Sequence, residues 1–376
     1  MCGSGSFVAA PPPERQMLRA PTGALSGQAH KRLSRNPAKS SWPVPNEPFR
    51  DREGRMRPPC RPLPADGRFL QAVGPTPLVP VRLHEEGPTI WCKLEFLNPS
   101  GSTKDRIARY MLEKAWRQGE LVPGGEVIEA SSGSTSIALA LACAQMGLRF
   151  TAVMPEGVTG ERILTIRAYG GDVVLVPREA GVHGAIVKAE ELARERKAFA
   201  PRQFENLDNA EAHRVWTGQE ILSQIPGGLV HGVVSGVGTG GTVVGLYQAF
   251  AEAGCPVTAF VARPIAGLGC DIECCSFSPR VPGVVDGMSR LYREADMPGR
   301  VEIDVSDDVA MSTARALIRR GFPVGPSSGL NYVAAVEAAK RLGPGAQVVT
   351  VFPDRMERYF STELIQPKPV PARGAA

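Results

Sequence analysis

The sequence has no cysteine framework, no apolar run of membrane-spanning length, and few aromatic residues (6 %) or histidines (five) among its 376 residues. Its eight cysteines stand at 2, 60, 92, 143, 255, 270, 274 and 275, a scatter unlike a disulfide scaffold in a chain this long. That implies a reducing compartment, here the cytoplasm. The cluster Cys270-Asp271-Ile272-Glu273-Cys274-Cys275 lacks paired CxxC spacing and a neighbouring histidine, so no metal site is expected. Without a long apolar run, no membrane segment is expected either. An excess of positive charge over the folded part is also missing. The net charge is +5, but residues 1–60 carry ten Lys/Arg against four Asp/Glu, so the remainder sums to −1. A basic leader explains the imbalance, and nucleic acid is not an expected partner.

That leader holds ten of the 34 prolines and no periodic apolar pattern. It cannot bury enough surface to offset its chain entropy and is expected to be disordered. It lacks the unbroken apolar stretch of a secretory signal. Either translation begins at Met56 or the leader is a dispensable extension, with an Arg-rich transit peptide as the alternative.

What is present beyond it is an alternation. Short apolar runs, "EVIEA", "RFTAVMP", "DVVLVP", "GLVHGVVSG", "VTAFVA" and "QVVTVFP", are near-continuously hydrophobic, as strands covered on both faces would be. Between them lie segments of helical period, among them "TSIALALACAQMG", "VHGAIVKAEELARERK", "GTVVGLYQAFAEAG", "VSDDVAMSTARALIRRG" and "LNYVAAVEAAKRLG". Strand and helix in alternation predict βαβ crossovers and mostly parallel sheets, in an α/β fold too long for one small sheet. In such sheets ligands bind at the carboxyl ends of strands.

Several turns at those ends carry chemistry. "SGVGTGGT", Ser235 to Thr242, brings four glycines to a helix start, where backbone N–H groups and the helix dipole suit a phosphate. Thr239 and Thr242 add hydroxyls. The absence of lysine and of Walker spacing argues against a nucleoside triphosphate. "EASSGSTS", Glu129 to Ser136, is either a helix cap or a cradle for a carboxylate. "VGPSSGLN", with Ser327 and Ser328, reads singly as a cap. "NPSGSTKDR" sets Lys104 in a small-residue turn between a strand-like and a helix-like run. Together a phosphate cradle, a carboxylate cradle and an isolated lysine suggest an amino-acid enzyme using pyridoxal 5'-phosphate.

In order along the chain, "GPTPLVPV", "NPSGSTKDR", "EASSGSTSIALALA", "QFENLDNAEAHRVWTGQEI", "GVGTGGT", "GPSSGLN" and "VFPDRMERYFST" resemble the cysteine synthase / cystathionine β-synthase family over residues 67–365. The resemblance implies the two-domain fold-type II (tryptophan synthase β-like) architecture of pyridoxal-phosphate enzymes. It implies a cofactor-binding domain over 67–97 and 207–366, a substrate-closing domain over 98–206, and disordered ends at 1–66 and 367–376. It makes Lys104 the Schiff-base lysine and Gly238, Thr239, Gly240, Gly241 and Thr242 the phosphate loop. Ser327 matches the serine at the pyridine nitrogen, and Ser134 stands where relatives have an asparagine that contacts the cofactor. Ser131, Ser132, Gly133, Thr135 and Gln203 match substrate-carboxylate positions. Asp354 and Tyr359 border the ring and support it, without an assigned catalytic part. The implied reaction joins an activated serine to sulfide through an aminoacrylate, giving L-cysteine; family members are homodimers.

The departures from the family bear on the second substrate. Ser134 and Ser136 replace Asn and Gly, Pro75 replaces an Asn, Arg355-Met356 replace Ser-Gly, and "RVPGVVDGMSRLYREADM" replaces a glycine-rich loop. Ser134 within "EASSGST" also resembles desulfhydrase-like relatives, which eliminate sulfide from cysteine. β-Elimination and β-replacement with a different nucleophile therefore stand beside cysteine synthesis. Arg280 and Arg290 in the altered loop are either readers of an O-phosphoserine phosphate or solvated surface charges. A cofactor-retaining scaffold without turnover would need a degraded site, and the lysine and phosphate loop are intact.

Overall fold

The structure, a computed structural model, describes residues 63–64, 70–265, 280–284 and 288–366. Apart from residues 63–64, the extension and the tail expected to be disordered lie outside these residues, as does the cysteine cluster at 270–275. Six strands form one sheet in the order β1 (Leu78–Val81), β2 (Ile90–Lys93), β9 (Val348–Val351), β6 (Gly232–Gly236), β7 (Thr258–Ile265) and β8 (Val301–Ser306). Only the β1–β2 pair is antiparallel. A second, fully parallel sheet comprises β3 (Glu126–Ala130), β4 (Arg149–Pro155) and β5 (Asp172–Val176). The expected α/β fold with mostly parallel sheets is what the chain adopts.

The near-continuous apolar strands have the predicted cause: each sheet is covered twice. On the larger sheet, Val234, Phe260 and Ala262 pack with α10 (Pro326–Leu342), while their alternating neighbours Val233, Ala259 and Val261 pack with α7 (Gly241–Glu252). On the smaller sheet, Val127, Phe150, Ala152 and Met154 face α1 (Lys104–Gln118) and α2 (Ser134–Met146); Ile128, Ala130 and Val153 face α4 (Gly181–Arg196). Helix α2 is apolar nearly all round and accordingly buried over most of its surface. The remaining helices are α3 (Gly160–Ala168), α5 (Asp208–Ala212), α6 (Gly218–Gln224), α8 (Arg290–Glu294) and α9 (Asp307–Arg319), with one π turn, His213–Thr217, joining α5 to α6.

Among the described residues no helix is long and apolar enough to cross a membrane, and no group of three His, Cys, Asp or Glu is placed to hold a metal ion. Cys92 and Cys143 are buried free thiols, pushed up by burial.

Candidate active site

The turns after β3, β6 and β9 and the first turn of α10 surround one cleft, about 940 Å³ of atom-free space including its mouth. Lys104, Ser131, Ser132, Ser134, Thr135, Gln203, Gly238, Thr239, Gly240, Thr242 and Ser327 all line it. Gly133 and Gly241 do not; they shape its walls from one position away.

Lys104 is the first residue of α1, and the turn before it is pinned from two sides. The Asp105 carboxylate accepts from the Ser100 N–H (2.8 Å), the Ser100 hydroxyl (2.6 Å) and the Ser102 N–H (3.2 Å). The Thr103 N–H donates to the Pro353 carbonyl (2.7 Å), and Arg358 donates to the Gly101 carbonyl (3.0 Å). Two residues further on, Arg106 inserts into a buried charge lattice. It donates to both oxygens of Glu95 (2.8 Å each) and to both of Glu220, while the Lys93 ammonium lies 2.9 Å from Glu220. Those pairings hold the Glu95 carboxyl near 2 despite its burial. The Lys104 amine, by contrast, makes no hydrogen bond or ion pair with any described residue. Burial lowers its pKa, opposed by the charge of Asp354.

Opposite stands the glycine turn. Gly240 has φ +80°, a left-handed conformation that glycine adopts without strain, and it turns the chain into α7. A Cβ on Gly241 would lie 1.8 Å from Asn209 Oδ1, so the turn can approach α5 only without a side chain. The backbone N–H groups from Gly238 to Thr242 have no protein acceptor among the described residues. Orphan donors at the start of a twelve-residue helix suit an anion. The hydroxyls are oriented from behind. Asn209 donates to Thr239 Oγ1 (2.8 Å) and to the Gln203 carbonyl (2.7 Å), and a His213 ring nitrogen lies 3.3 Å from Thr242 Oγ1. Burial holds the His213 pKa down at about 3, so the ring is neutral at physiological pH.

The third wall is the turn after β3. Ser131 Oγ accepts from the N–H groups of Gly133 (2.9 Å) and Ser136 (3.3 Å), so this serine does cap α2 while also lining the cleft. Thr135 Oγ1 donates to Gln203 Oε1 (2.6 Å), and Gln203 Nε2 donates to the Ala130 carbonyl (2.7 Å). Glu129 lies beneath, accepting from the N–H groups of Ala130 (2.9 Å) and Gln203 (3.1 Å). Burial pushes its carboxyl up to about 7. Ser134 Oγ donates to Asp354 Oδ2 (3.2 Å). Arg280 and Arg290 are not among the cleft's lining residues: Arg280 pairs with Glu363 and Asp308, and Arg290 with Glu294.

Sequence reasoning missed Asn209, His213 and Arg162. Arg162 reaches from α3 to donate to the Ser132 carbonyl (2.8 Å), and its guanidinium sits 5.1 Å over the Tyr359 ring. Asn209 and His213 lie within the motif Gln203–Ile221 but nothing in it singles them out, because the cleft residues they meet, Thr239 and Thr242, lie about thirty positions away, as Ser132 does from Arg162.

A cleft at strand ends, with a free lysine amine facing unclaimed helix-start amides, defines an α/β enzyme site suited to holding a phosphorylated carbonyl compound covalently. The chain belongs to the pyridoxal-phosphate dependent enzyme family, which matches residues 69–354. It is 38 % identical over 308 residues to the cysteine synthase of Staphylococcus aureus, an alignment covering 79 % of this chain and 96 % of that protein. Among solved structures, a hydrogen sulfide-producing enzyme of Fusobacterium nucleatum is similar with TM-score 0.71 and 33 % identity, covering 81 % of this chain and 93 % of that one. The O-acetyl serine sulfhydrylase isoform 3 of Entamoeba histolytica matches with TM-score 0.70 and 33 % identity, over 80 % and 92 % of the two chains.

Proposed function

We propose that the protein forms L-cysteine by β-replacement, exchanging the β-substituent of an activated serine, O-acetylserine or O-phosphoserine, for sulfide. The observation that carries this reading is the convergence of the unpartnered Lys104 amine, the unclaimed N–H groups of Gly238–Thr242 and the hydroxyl-lined turn at 131–135 on one cleft. Their chemistry fits pyridoxal phosphate: an amine for its aldehyde, amides and hydroxyls for its phosphate, a hydroxyl rather than a carboxylate at Ser327. Bound there, the cofactor supplies an electron sink for bond breaking at the amino acid's α-carbon.

The chain's own residues would then do three things. The amides from Gly238 to Thr242, with the Thr239 and Thr242 hydroxyls, hold the phosphate. Ser131, Ser132, Gly133, Thr135 and Gln203 hold the substrate carboxylate. Lys104 takes the α-proton at its Nζ, a task eased because burial lowers its pKa and so raises the neutral fraction of the amine. Ser327, a neutral hydroxyl, does not stabilise a cationic ring nitrogen. That disfavours transamination relative to prompt loss of a β-leaving group.

Purified full-length protein loaded with pyridoxal phosphate is expected to yield cysteine from sulfide and at least one of the two activated serines. Fast release of sulfide from cysteine, with neither activated serine consumed, would make it an L-cysteine desulfhydrase instead. That second reading is favoured by Ser134, whose hydroxyl bonds Asp354, and by the likeness to the sulfide-producing enzyme. A different nucleophile in place of sulfide is the third. Action in the cytoplasm as a homodimer, with residues 98–206 closing over the substrate, belongs to the same proposal; light scattering of the eluted protein tests the dimer.

A further inference from the structure

Asp354 is the group that the motif comparison left without a chemical part. It lies three residues beyond the end of β9, lines the cleft and is buried. Its backbone is fixed from both sides: it bridges Ser102, two residues before Lys104, and its carbonyl accepts from the Gly325 N–H (3.0 Å). Its side chain is used unevenly. Oδ2 accepts from the Tyr359 hydroxyl (2.8 Å) and from the Ser134 hydroxyl (3.2 Å). Oδ1 is buried and has no partner among the described residues. Leaving a buried carboxylate oxygen without a donor is unfavourable, so its place in a cleft points to a donor that is not there all the time.

The candidate donor lines the same cleft, two residues from the Ser102 bridge. The Lys104 amine is likewise without a partner, and the Asp354 charge acts on it. We propose that Asp354 is a positioning residue for Lys104, whose ammonium donates to Asp354 Oδ1 whenever that amine is free and protonated. This rests on the reading of Lys104 as the group that takes the α-proton. The proton arriving on Nζ converts a neutral amine to a cation, and the Asp354 carboxyl group supplies an acceptor for it. Tyr359 and Ser134 hold that carboxylate in place through Oδ2. Burial and the Asp354 charge push the Tyr359 hydroxyl up, so it stays a donor.

The other charged groups around the pair are accounted for. His213 faces Lys104 and is neutral; Asp105 is spent on Ser100 and Ser102. Arg162 lies over the Tyr359 ring, and Arg358 donates to the Gly101 and Ser100 carbonyls.

The test is competitive acetylation of the full-length chain after cofactor removal, with mass spectrometry of the Lys104 peptide across pH 6 to 11 (roughly the span in which a lysine shifted by burial titrates). In Asp354→Asn the midpoint of Lys104 labelling is expected to fall by about one pH unit, the effect of losing one opposite charge nearby. Labelling below the midpoint then rises about tenfold. Asp354→Glu, which keeps the charge, is expected to restore most of the shift. A variant that merely loosened the fold would release Lys104 to water and raise its midpoint towards ~10.4, the opposite direction. A midpoint unchanged or raised in Asp354→Asn, or equal in the Asn and Glu variants, overturns the assignment. The wild-type protein reloaded with pyridoxal phosphate is assayed in parallel. Absence of cysteine synthesis with the midpoint shift intact sinks the substrate reading alone, and synthesis with no midpoint shift sinks the role of Asp354 alone.

Discussion

Behind α1 and in front of it, the polar groups around Lys104 are handled in opposite ways. Behind, Lys93, Glu95, Arg106 and Glu220 match charge for charge, with Thr76 adding a 2.6 Å hydrogen bond to Glu95. In front, Thr103 Oγ1, Arg162 Nε and Asp354 Oδ1 are buried without partners among the described residues, as are the helix-start amides of α7. The satisfied lattice fixes where the lysine is. The unsatisfied surface is where something else must bind, because native proteins leave few buried polar groups unpaired without a reason. Each side can be broken separately, and the two should fail differently.

The largest expected effect is on the unsatisfied side. Lys104→Ala should lower turnover by about a thousandfold or more, as loss of a covalent nucleophile and base does. The absorbance near 410 nm (roughly, for a lysine-bound cofactor) should vanish. The cofactor-free protein should lose no more than about 1–3 kcal/mol, the worth of the single charge-assisted contact with Asp354 inferred above. A retained visible band in this variant would rule out Lys104 as the attachment point. On the satisfied side, Arg106→Ala should do the reverse. It leaves Glu95 and part of Glu220 buried without their cation, a loss of about 3–5 kcal/mol, read as a lower urea midpoint at unchanged slope. An Arg106→Ala protein as stable as wild type would mean that the lattice does not hold α1.

Glu129 offers a comparison in pH. Its folded pKa of about 7 lies above the ordinary 4.5, so between these values the native state keeps a proton that the unfolded chain has lost. Stability from this group is therefore full below about pH 4.5 and falls as pH rises to about 7, by about 3 kcal/mol in all. Glu129→Gln removes that slope but leaves one of the N–H groups of Ala130 and Gln203 without an acceptor, a loss of about 1–3 kcal/mol at every pH. The variant should be the less stable protein at pH 5 and lose that deficit by pH 8 (roughly the two sides of the titration). Parallel unfolding curves from acid to neutral pH would exclude Glu129 as the titrating group.

The same contrast explains what could be read from the sequence. β3, β4, β6, β7 and β9 were legible because burial on both faces writes a continuous apolar run; β5 shows the same run although it lies at a sheet edge with Leu175 exposed. β8 was not, since "VEIDVS" alternates Glu302 and Asp304 outward at a sheet edge and runs straight into the Ser306 cap of α9. The lysine and glycine turns were legible because their compositions are costly without a ligand. The groups that orient them were not. Asn209 is an unremarked residue in "NLDNAEAH" until the fold sets it against Thr239 and Gly241. Arg280 invited a phosphate from its place in the loop, but its partner Glu363 lies 83 positions away, a separation no local pattern reports.

The smallest expected effect is the one that separates the two reactions. Ser134 sits at the first turn of α2 with its hydroxyl 3.2 Å from Asp354 Oδ2, at the position where the family resemblance expects asparagine. An asparagine there can donate to Asp354 from its amide nitrogen and place a separate carbonyl oxygen further into the cleft, whereas serine's single, shorter oxygen must serve both directions. Ser134→Asn should therefore leave stability within about 1 kcal/mol of wild type, as an exchange of one polar residue for another at a half-exposed site. The expected change is in partition: cysteine formed from an activated serine, relative to sulfide released from cysteine, should rise by about three- to tenfold, or roughly 0.7–1.4 kcal/mol. Both rates are measured on the same loaded protein, so differences in cofactor content cancel from the ratio. If both rates fall together and the ratio stays fixed, Ser134 acts only by supporting Asp354, and the choice between synthesis and elimination lies elsewhere in the cleft.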